Sequence, residues 1–456
     1  MLPDYAVSNV GQCAPGAEPQ NSKESGCSQV RRFVWLALAI AAMGLFAVPA
    51  AAQEVGGEAV KGVIVQRPEE GDPVPVPDVE IRVNKSDGEE VGVATTDAKG
   101  EYFLELPGPG GYTAELLVGS LPEGVSLTDP DKTKLEFTVA TGQQKPLTFP
   151  LGEKTGGGGG GQFATFLSLL VSGITFGFII AMAAVGLSLI FGTTGLVNFA
   201  HGELVTFGAL IAWFVNTRVL GGIHLVPATI IAIIVGALFG LLLNGGLWRP
   251  LRKRGTGLIA MLVISIGLSI ALRYVFLIFV GGRTFPYAQY AVQRGIAMGP
   301  ISVAPKDLFT IGLSIVVLVG VALILQKTKI GKAMRAVADN VDLAASSGIN
   351  VERVIQFVWA FGAALAAFGG VLFGLNQQVS WEMGFLLLLL MFAGVTLGGL
   401  GTAYGALVGS LVIGIFVMTS TMIIPPELKE VGALIVLILV LLVRPQGILG
   451  RAERVG

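Results

Sequence analysis

The chain has 456 residues, of which 53% are hydrophobic and 13% are charged, with a mean hydropathy of +0.74. This balance excludes an ordinary soluble protein and indicates an integral membrane protein. The 30 Lys and Arg residues against 31 Asp and Glu leave a net charge of −1, so no basic surplus is present for binding nucleic acid. Both cysteines, Cys13 and Cys27, precede every predicted folded segment, so neither a disulfide framework nor a cysteine-based metal site is predicted.

Residues 1–52 are interpreted as a secretory signal region. A polar stretch is followed by Arg31 and Arg32, by the apolar run FVWLALAIAAMGLFAV, and by small residues that suit cleavage near Ala52. Translation is predicted to start at Val30, which would leave a short basic segment before the apolar run. An uncleaved membrane anchor is the alternative, and the flanking residues match a twin-arginine signal poorly.

Residues 53–154 predict a small extracytoplasmic all-β sandwich domain. Six short alternating stretches are separated by Asp-Gly, Gly-Pro-Gly-Gly and Pro-Glu-Gly turns. The stretches are VKGVIVQ, VEIRVNK, EVGVATT, GEYFLELP, GYTAELLV and KLEFTVA. The piece VGVATTDAKGEYFLELPGPGGYTAELL resembles the carboxypeptidase regulatory-like and collagen-binding B-type domains of bacterial surfaces. That resemblance implies a module that binds or spaces, and Asp97 is interpreted as a turn residue.

The glycine-rich residues 155–162, TGGGGGGQ, form a predicted flexible linker, and residues 163–456 form the membrane domain. Nine apolar runs follow the linker, most of them near the ~20 residues needed to cross ~30 Å of hydrocarbon. They predict an all-α polytopic domain of eight or nine transmembrane helices. The alternative for the short run 203–217 and for the glycine-interrupted stretch 398–405 is a re-entrant segment that does not cross the membrane. The runs are 163–192, 203–217, 225–247, 256–280, 308–326, 354–377, 384–400, 402–424 and 430–444.

Three groups of basic residues predict the orientation. With all three in the cytoplasm and nine spans, the linker lies outside, where a signal peptide would deliver it. The C-terminus is then cytoplasmic. The groups are Arg249, Arg252, Lys253 and Arg254; Lys327, Lys329, Lys332 and Arg335; and Arg444, Arg451 and Arg454.

A polar break in GLVNFAHGELVTFGA separates the first two runs. Its polar residues are Asn198, His201 and Glu203. A carboxylate within hydrocarbon costs ~2.5 kcal/mol or more unless it is paired, so these groups are expected to face the bundle interior or water. They either line the pathway or serve structure, with Asn198 capping the second helix and Glu203 in its first turn, where the helix dipole favours a carboxylate. A metal-binding role for His201 is not predicted, because no second histidine or cysteine lies nearby in the sequence to complete a site.

The segment KTKIGKAMRAVADNVDLAASSGINVER predicts a short amphipathic helix on the cytoplasmic side. Its charged face includes Arg335, Asp339 and Asp342, and a break follows at Gly348. The opposite apolar stripe is Met334, Ala338, Val341 and Ala345. Such a helix either lodges in a groove of a second protein or is a solvated connection, and the charge pattern alone favours the connection.

Enzyme motifs are missing from the chain. It contains no GxxxxGK[ST], HExxH or CxxC sequence, and its only histidines are His201 and His224. The sequence therefore predicts neither an enzyme, nor a metal site, nor a cofactor. Any phosphoryl chemistry that drives the protein is expected in a partner.

Four stretches resemble the permease subunits of high-affinity branched-chain amino acid ABC transporters. They are GLSLIFGTTGLVNFAHGELVTFGA, MRAVADNVDLAASSGINVERV with the following FGAALAAFGGVLFG, GVTLGGLGTAYGALVGSLVIG, and the closing LLVRPQGILGR. The resemblance covers residues 163–452 in order, with Asn198 to Glu203 as its most specific part. The preceding β-domain is not part of the usual family pattern.

The resemblance implies a set of partners in a bacterial cell membrane: a second related permease, two cytoplasmic ATP-binding subunits and an extracytoplasmic substrate-binding protein. It also implies that the stretch from Arg335 to Gly348 docks on an ATP-binding subunit as a coupling helix. Sliding of rigid bundles would then give alternating access to the two sides of the lipid bilayer.

Small residues at a four-residue spacing predict close helix packing. Gly370 and Gly374 form one such pair, and Gly401, Gly405 and Gly409 are interpreted as one helix face. These glycines either form a functional contact, between two permeases or between core helices, or serve the ordinary packing of membrane helices.

Other functions remain open on the sequence alone. A permease for urea or short amides shares the same signature, whereas a surface adhesion or scaffold protein explains the β-domain but not the polar break. A cation-coupled carrier would need intramembrane carboxylates on several helices, and apart from Glu203 the membrane runs offer almost none.

Overall fold

The computed structural model describes residues 58–66, 74–122, 133–139 and 144–151 without 148 and 150. It also describes residues 162–425 without 291, 292 and 294, together with scattered positions such as 125, 127 and several between 428 and 442. The predicted signal region, residues 155–161 of the predicted linker and the basic C-terminal tail lie outside the described residues.

The N-terminal part is built from β-strands, and all six predicted stretches form strands. In the described residues, β6, β1 and β9 make one sheet, while β5, β4, β7 and β8 make a second, antiparallel sheet. The strands are β1 (Ala59–Val63), β2 (Val65–Gln66), β3 (Val74–Pro75), β4 (Glu80–Lys85), β5 (Glu90–Thr95), β6 (Glu101–Glu105), β7 (Gly110–Leu116), β8 (Lys134–Val139) and β9 (Gln144–Pro146).

Both sheets contribute to one hydrophobic core. Val60 and Tyr102 from the first sheet and Ile81 and Phe137 from the second are buried together, as expected for a sandwich. The Tyr102 hydroxyl donates a 2.8 Å hydrogen bond to the carbonyl of Leu147, and burial raises the pKa of this tyrosine above its ordinary value.

Asp97 is a turn residue, as predicted. One carboxylate oxygen, Oδ1, accepts hydrogen bonds of 2.8 Å from the backbone N–H groups of both Lys99 and Glu101. The aspartate therefore satisfies the backbone of the tight turn between β5 and β6.

The C-terminal part is helical, and each apolar run up to residue 424 contains a helix. The helices are α1 (Gln162–Thr194), α2 (His201–Thr217), α3 (Leu225–Leu243), α4 (Arg249–Lys253), α5 (Leu258–Val280), α6 (Pro305–Lys327), α7 (Lys329–Asp339), α8 (Val341–Ser346), α9 (Val351–Gln377), α10 (Met383–Gly398) and α11 (Ala403–Ser420). A π-helical turn, Asn244–Trp248, joins α3 to α4, and a small hairpin of β10 (Ile296–Met298) and β11 (Ile301–Val303) precedes α6.

Six helical segments in the described residues are long and apolar enough to cross a membrane. Two others are shorter, because α2 has 17 residues and α10 has 16. At 1.5 Å per residue each covers about 25 Å, which is less than the ~30 Å of hydrocarbon. The predicted count of eight or nine full spans is therefore not reproduced as such, since two of the runs form short helices. The last run, 430–444, lies mostly outside the described residues.

The helical core is centred on α1 and α9, which are the most buried of the long helices. Their backbones approach closely, since a Cβ added at Gly186 would lie 2.5 Å from the carbonyl oxygen of Gly362. By contrast, only 22–33% of the residues in the most apolar stretches of α3, α5 and α6 are buried. These three helices are thus the outer wall of the described bundle, and the core positions α2 and α10.

Candidate functional site

The second helix begins inside the membrane domain rather than at its surface. His201, the first residue of α2, places its Nε2 atom 3.1 Å from the carbonyl oxygen of Ala183 on α1. Helix α1 continues for 11 positions beyond Ala183, to Thr194. At 1.5 Å per residue, the segment 195–200 therefore returns about 16 Å along α1 before α2 starts.

Helix α5 gives the same depth independently. The Ser265 hydroxyl accepts a 3.1 Å hydrogen bond from the backbone N–H of Phe199, and the Ser269 hydroxyl donates one of 2.9 Å to Oε1 of Glu203. Ser269 lies 11 positions after Leu258, the start of α5, which again corresponds to about 16 Å. The polar break is thus a re-entrant feature about halfway through the hydrocarbon layer.

Asn198 does not cap α2 in the way the sequence predicted. The N-cap residue is Ala200, which has no side-chain cap, and Oδ1 of Asn198 instead accepts a 3.1 Å hydrogen bond from the N–H of Ala200. The side chain therefore closes a local turn before the helix, because Asn198 lies three positions ahead of His201 and too early to reach the first helical N–H groups. Glu203 does lie in the first turn, as predicted, although its hydrogen bond goes to Ser269.

The three polar side chains of the break are buried, and each has an atom without a hydrogen-bond partner among the described residues. Asn198 is 1% exposed, while His201 and Glu203 are 0% exposed. The atoms without partners are Nδ2 of Asn198, Nδ1 of His201 and Oε2 of Glu203. The break consequently holds an unpaired donor, an unpaired acceptor and an unpaired imidazole nitrogen in an apolar interior. Burying such groups without partners costs folding free energy, which marks the break as a candidate functional site.

A second short helix starts against the first. The Thr206 hydroxyl on α2 accepts a 3.0 Å hydrogen bond from the backbone N–H of Gly384, in the first turn of α10. A Cβ added at Gly202 would lie 2.5 Å from the carbonyl oxygen of Gly384, so the two backbones touch. The two short helices therefore start against each other inside the helical domain, as the half-helices of interrupted membrane segments do.

Arg273 is a charged residue of this region that the sequence reasoning missed. It lies one turn beyond Ser269 on α5, and its guanidinium carbon is 4.1 Å from the centre of the Phe385 ring on α10. The signal was available, because a single arginine inside the run LIAMLVISIGLSIALRYVFLIFV is expensive and marks a functional region by default.

The amphipathic loop forms two short helices, not one. Helix α7 ends at Asp339, and the Asn340 side chain then caps α8 by accepting a 2.9 Å hydrogen bond from the N–H of Leu343. The predicted apolar stripe therefore does not lie on one helix: Met334 is buried on α7, whereas Ala338, Val341 and Ala345 are exposed on either side of the break. The buried face is instead made by Gly331, Met334, Val337 and Ala344.

The four predicted coupling residues, Arg335, Asp339, Asp342 and Gly348, are all exposed. Gly348 has a φ of +85° and follows the end of α8, where its N–H bonds to the carbonyl of Ala345 and the next N–H, of Ile349, bonds back to Ala344. This pair of bonds is a Schellman motif, which fixes the loop geometry and requires a left-handed residue. Leu343 on α8 is 66% exposed, so the loop presents an apolar side chain between charged ones.

An ion-pair cluster links this loop to the rest of the bundle. Glu352, in the first turn of α9, lies 3.0 Å from Nε of Arg249 and 3.8 Å from Nη2 of Arg252. Arg252 also donates a 2.8 Å hydrogen bond to Oδ1 of the buried Asn244, in the π-helical turn. Ion pairs therefore connect α9, which follows the loop, to α4.

Three of the five packing glycines, Gly370, Gly405 and Gly409, lie at close backbone contacts, whereas Gly374 meets side chains and Gly401 lies in a turn. Gly370 meets the backbone of Val205 on α2, and a Cβ at Gly374 would lie 2.9 Å from the Tyr287 hydroxyl. Gly405 and Gly409 pack against the backbone of α10 at Gly398 and Gly394. Gly401 does not share their helix face, because it precedes α11 in the turn and has a φ of +79°.

Comparison with known proteins identifies relatives of the helical part. Residues 169–441 match the family described as branched-chain amino acid transport system / permease component. The chain is 30% identical over 304 residues to the high-affinity branched-chain amino acid transport system permease protein LivH of Escherichia coli K12, which covers 64% of this chain and 98% of the relative. It is 32% identical over 300 residues to the corresponding protein BraD of Pseudomonas aeruginosa, covering 63% and 97%. A probable permease of this type from Methanocaldococcus jannaschii is 30% identical over 300 residues, covering 62% and 92%.

Proposed function

The chain belongs to the family of branched-chain amino acid transport system permease components, and on that basis we propose that it forms the membrane pathway of an ATP-driven importer of branched-chain amino acids. The observation that carries the proposal is the family match from residue 169 to residue 441, which includes the polar break and the two-helix loop. The protein is a multi-pass membrane permease. Hydrolysis of ATP resides in partner subunits.

Asn198, His201 and Glu203 hold the polar centre of this pathway. Their burial at half depth, between two short helices, supports a role in passing the polar end of an amino acid through the hydrocarbon layer. Asn198 and Glu203 also fix the start of α2, through the turn at Ala200 and the bond to Ser269. Movement of α10 against α2 at the Gly202–Gly384 contact opens or closes the pathway.

The α7–α8 loop couples the permease to an ATP-binding subunit. The exposed Leu343, flanked by the exposed Arg335 and Asp342, supports docking into a groove of a partner, since an apolar anchor with charged neighbours is a common recognition mode. Closure of two such subunits would move the loop, and the ion pair between Glu352 and Arg249 would pass that movement to α4.

The remaining partners and the orientation follow the same scheme. A second related permease and an extracytoplasmic substrate-binding protein complete the transporter in the cell membrane. The basic residues Arg249, Arg252 and Arg335 lie on the cytoplasmic side, and the β-domain of residues 53–154 lies outside, delivered by the signal region of residues 1–52. The β-domain acts as a spacer or docking module beside the pathway.

Transport in reconstituted vesicles tests the proposal. The chain is incorporated into proteoliposomes with its second permease and ATP-binding subunits, and radiolabelled leucine uptake is measured with the binding protein added. Uptake is expected only with both ATP and the binding protein, and an ATP-binding subunit defective in hydrolysis serves as the control. Uptake driven by an ion gradient alone would overturn the proposal, and uptake of urea in place of leucine would reassign the substrate.

A further inference from the structure

A cleft of about 130 Å³ lies where α9 ends and α10 begins. Its walls are apolar and come from three helices: Phe176 of α1, Phe373 of α9, and Met383, Leu387 and Leu390 of α10. It differs from the polar break, because no residue of the segment 195–203 lines it.

The cleft lies toward the extracytoplasmic end of the bundle. Val379, next to its rim, exchanges two backbone hydrogen bonds of 2.8 Å with Phe285, in the segment that follows α5. Helix α5 has 23 residues, about 35 Å, and starts just after the basic group at Arg249 to Arg254. Its far end, with Phe285, is therefore on the side opposite the basic loops.

The rim of the cleft is polar. Gln377, Gln378 and Ser380 line it, and Gln377 and Gln378 are exposed. Neither glutamine side chain forms a hydrogen bond within the part of the chain that the structure describes. An amide both donates and accepts hydrogen bonds, so this pair suits the ammonium and the carboxylate of an amino acid equally.

The backbone at the rim is strained. Gln378 has a φ of +71°, which is uncommon for a residue with a side chain. The two backbone hydrogen bonds between Val379 and Phe285 hold it in this conformation. Residues held in this region concentrate at binding and switching sites, because the surrounding structure must enforce them.

We propose that this cleft receives the aliphatic side chain of the incoming amino acid, with Gln377 and Gln378 at its polar end. The inference rests on the proposed function. Size supports it, because an apolar cavity of about 150 Å³ binds a molecule as large as benzene. A volume of about 130 Å³ therefore accommodates a branched group of three or four carbons. Phe176, Phe373 and Leu387 select among substrates by shape and apolar contact.

Thiol protection in the assembled transporter tests the cleft directly. Ser380→Cys is introduced after the two native cysteines, Cys13 and Cys27, have been replaced by serine. Leucine, delivered by the binding protein, is expected to slow labelling of the Ser380→Cys thiol at least fivefold, whereas glycine leaves it unchanged. Glu382→Cys is the matched control, because Glu382 is exposed nearby but does not line the cleft. Equal labelling with and without leucine, or equal protection of both thiols, overturns the proposal.

Filling the cleft gives a second readout. Leu386 lines it and is 37% exposed, so Leu386→Trp adds volume at a tolerant position, and leucine uptake is expected to fall at least tenfold at an unchanged membrane level. Leu389→Trp, on the same helix but away from the cleft, is expected to keep uptake within threefold. Unchanged uptake in Leu386→Trp overturns the assignment. If the unaltered chain shows no ATP-dependent leucine uptake, the proposed function fails, and if it transports without protection at Ser380→Cys, only the cleft assignment fails.

Discussion

The Ser269 hydroxyl donates a 2.9 Å hydrogen bond to Oε1 of Glu203, and both residues are buried at the middle of the membrane domain. This bond joins α5 to the first turn of α2. The Ser269 hydroxyl is the hydrogen-bond partner of the Glu203 carboxylate in the described residues, so the stability of the folded polar break depends on this bond.

Removing the hydroxyl leaves a buried acceptor without its donor. Ser269→Ala is expected to destabilise the purified protein by about 1–3 kcal/mol, seen as a lower Tm, and to reduce leucine uptake. Glu203→Gln retains an acceptor and is expected to have a smaller effect on Tm. Ser346→Ala, at an exposed site on α8, is the control. A Tm for Ser269→Ala equal to that of the control would contradict the importance of this bond.

The contact between Gly202 and Gly384 leaves no room for a side chain. Gly202→Ala places a Cβ 2.5 Å from a backbone oxygen and is expected to separate α2 from α10, lowering the Tm and abolishing uptake. Gly267→Ala is the matched control, because Gly267 is also inside a membrane helix but has open space around it. There the alanine is expected to be neutral or stabilising by about 0.5–1 kcal/mol. Equal behaviour of the two variants would show that the α2–α10 contact is loose.

The sequence was sufficient to predict what depends on local composition. Apolar runs predicted the helices to within a few residues, and alternating apolar residues between turn residues predicted the β-strands. Both signals depend on the spacing of apolar residues within a short stretch of sequence. The polar break was also visible, since three polar residues inside apolar runs have a cost that must be compensated.

Contacts between distant parts of the chain were not predictable in the same way. Ser269 bonds to a residue 66 positions away, and Gly384 bonds to Thr206 across 178 positions. The spacing of apolar residues along the sequence carries no information about which distant residues form such pairs. The prediction of a single amphipathic helix was wrong for a different reason. It continued the helical pattern through Asn340, but the Asn340 side chain caps a new helix, and this preference outweighed the apolar spacing.

Gly348 requires a left-handed backbone, with a φ of +85°. Gly348→Pro fixes φ near −65° and removes the N–H that bonds to Ala345, so it is expected to abolish co-purification of the ATP-binding subunit while membrane insertion continues. Gly348→Asn is the matched control and is expected to retain most binding, because asparagine tolerates this region. If Gly348→Pro still binds the ATP-binding subunit, the loop is only a connection.

Charge at the same loop is tested separately. Arg335 is exposed, so Arg335→Glu is expected to leave the Tm unchanged and to lower both ATP-binding-subunit association and uptake by more than tenfold. Arg254→Glu, in the other basic loop, controls for net charge. Full uptake in Arg335→Glu would remove the loop from the coupling interface.

The ion pair between Glu352 and Arg249 offers a test of how movement reaches the helices. Both side chains are about one-third exposed, so Glu352→Arg is expected to cost only about 1 kcal/mol of stability but to lower uptake per ATP hydrolysed. Adding Arg249→Glu restores an opposite-charge pair and is expected to recover part of that ratio. Recovery of neither stability nor coupling in the double variant would show that the pair does not act as a unit.

The β-domain has a core of its own. The residues of that core fall between Val60 and Leu151, while those of the helical core fall between Phe176 and Val417. Deleting residues 55–154 with the predicted signal region retained therefore removes one complete core without uncovering the other. The truncated permease is expected to reach the membrane at a normal level and to keep leucine uptake within tenfold of the full chain, measured in vesicles against immunoblotted protein. Complete loss of uptake at a normal membrane level would make the β-domain an integral part of the transport cycle.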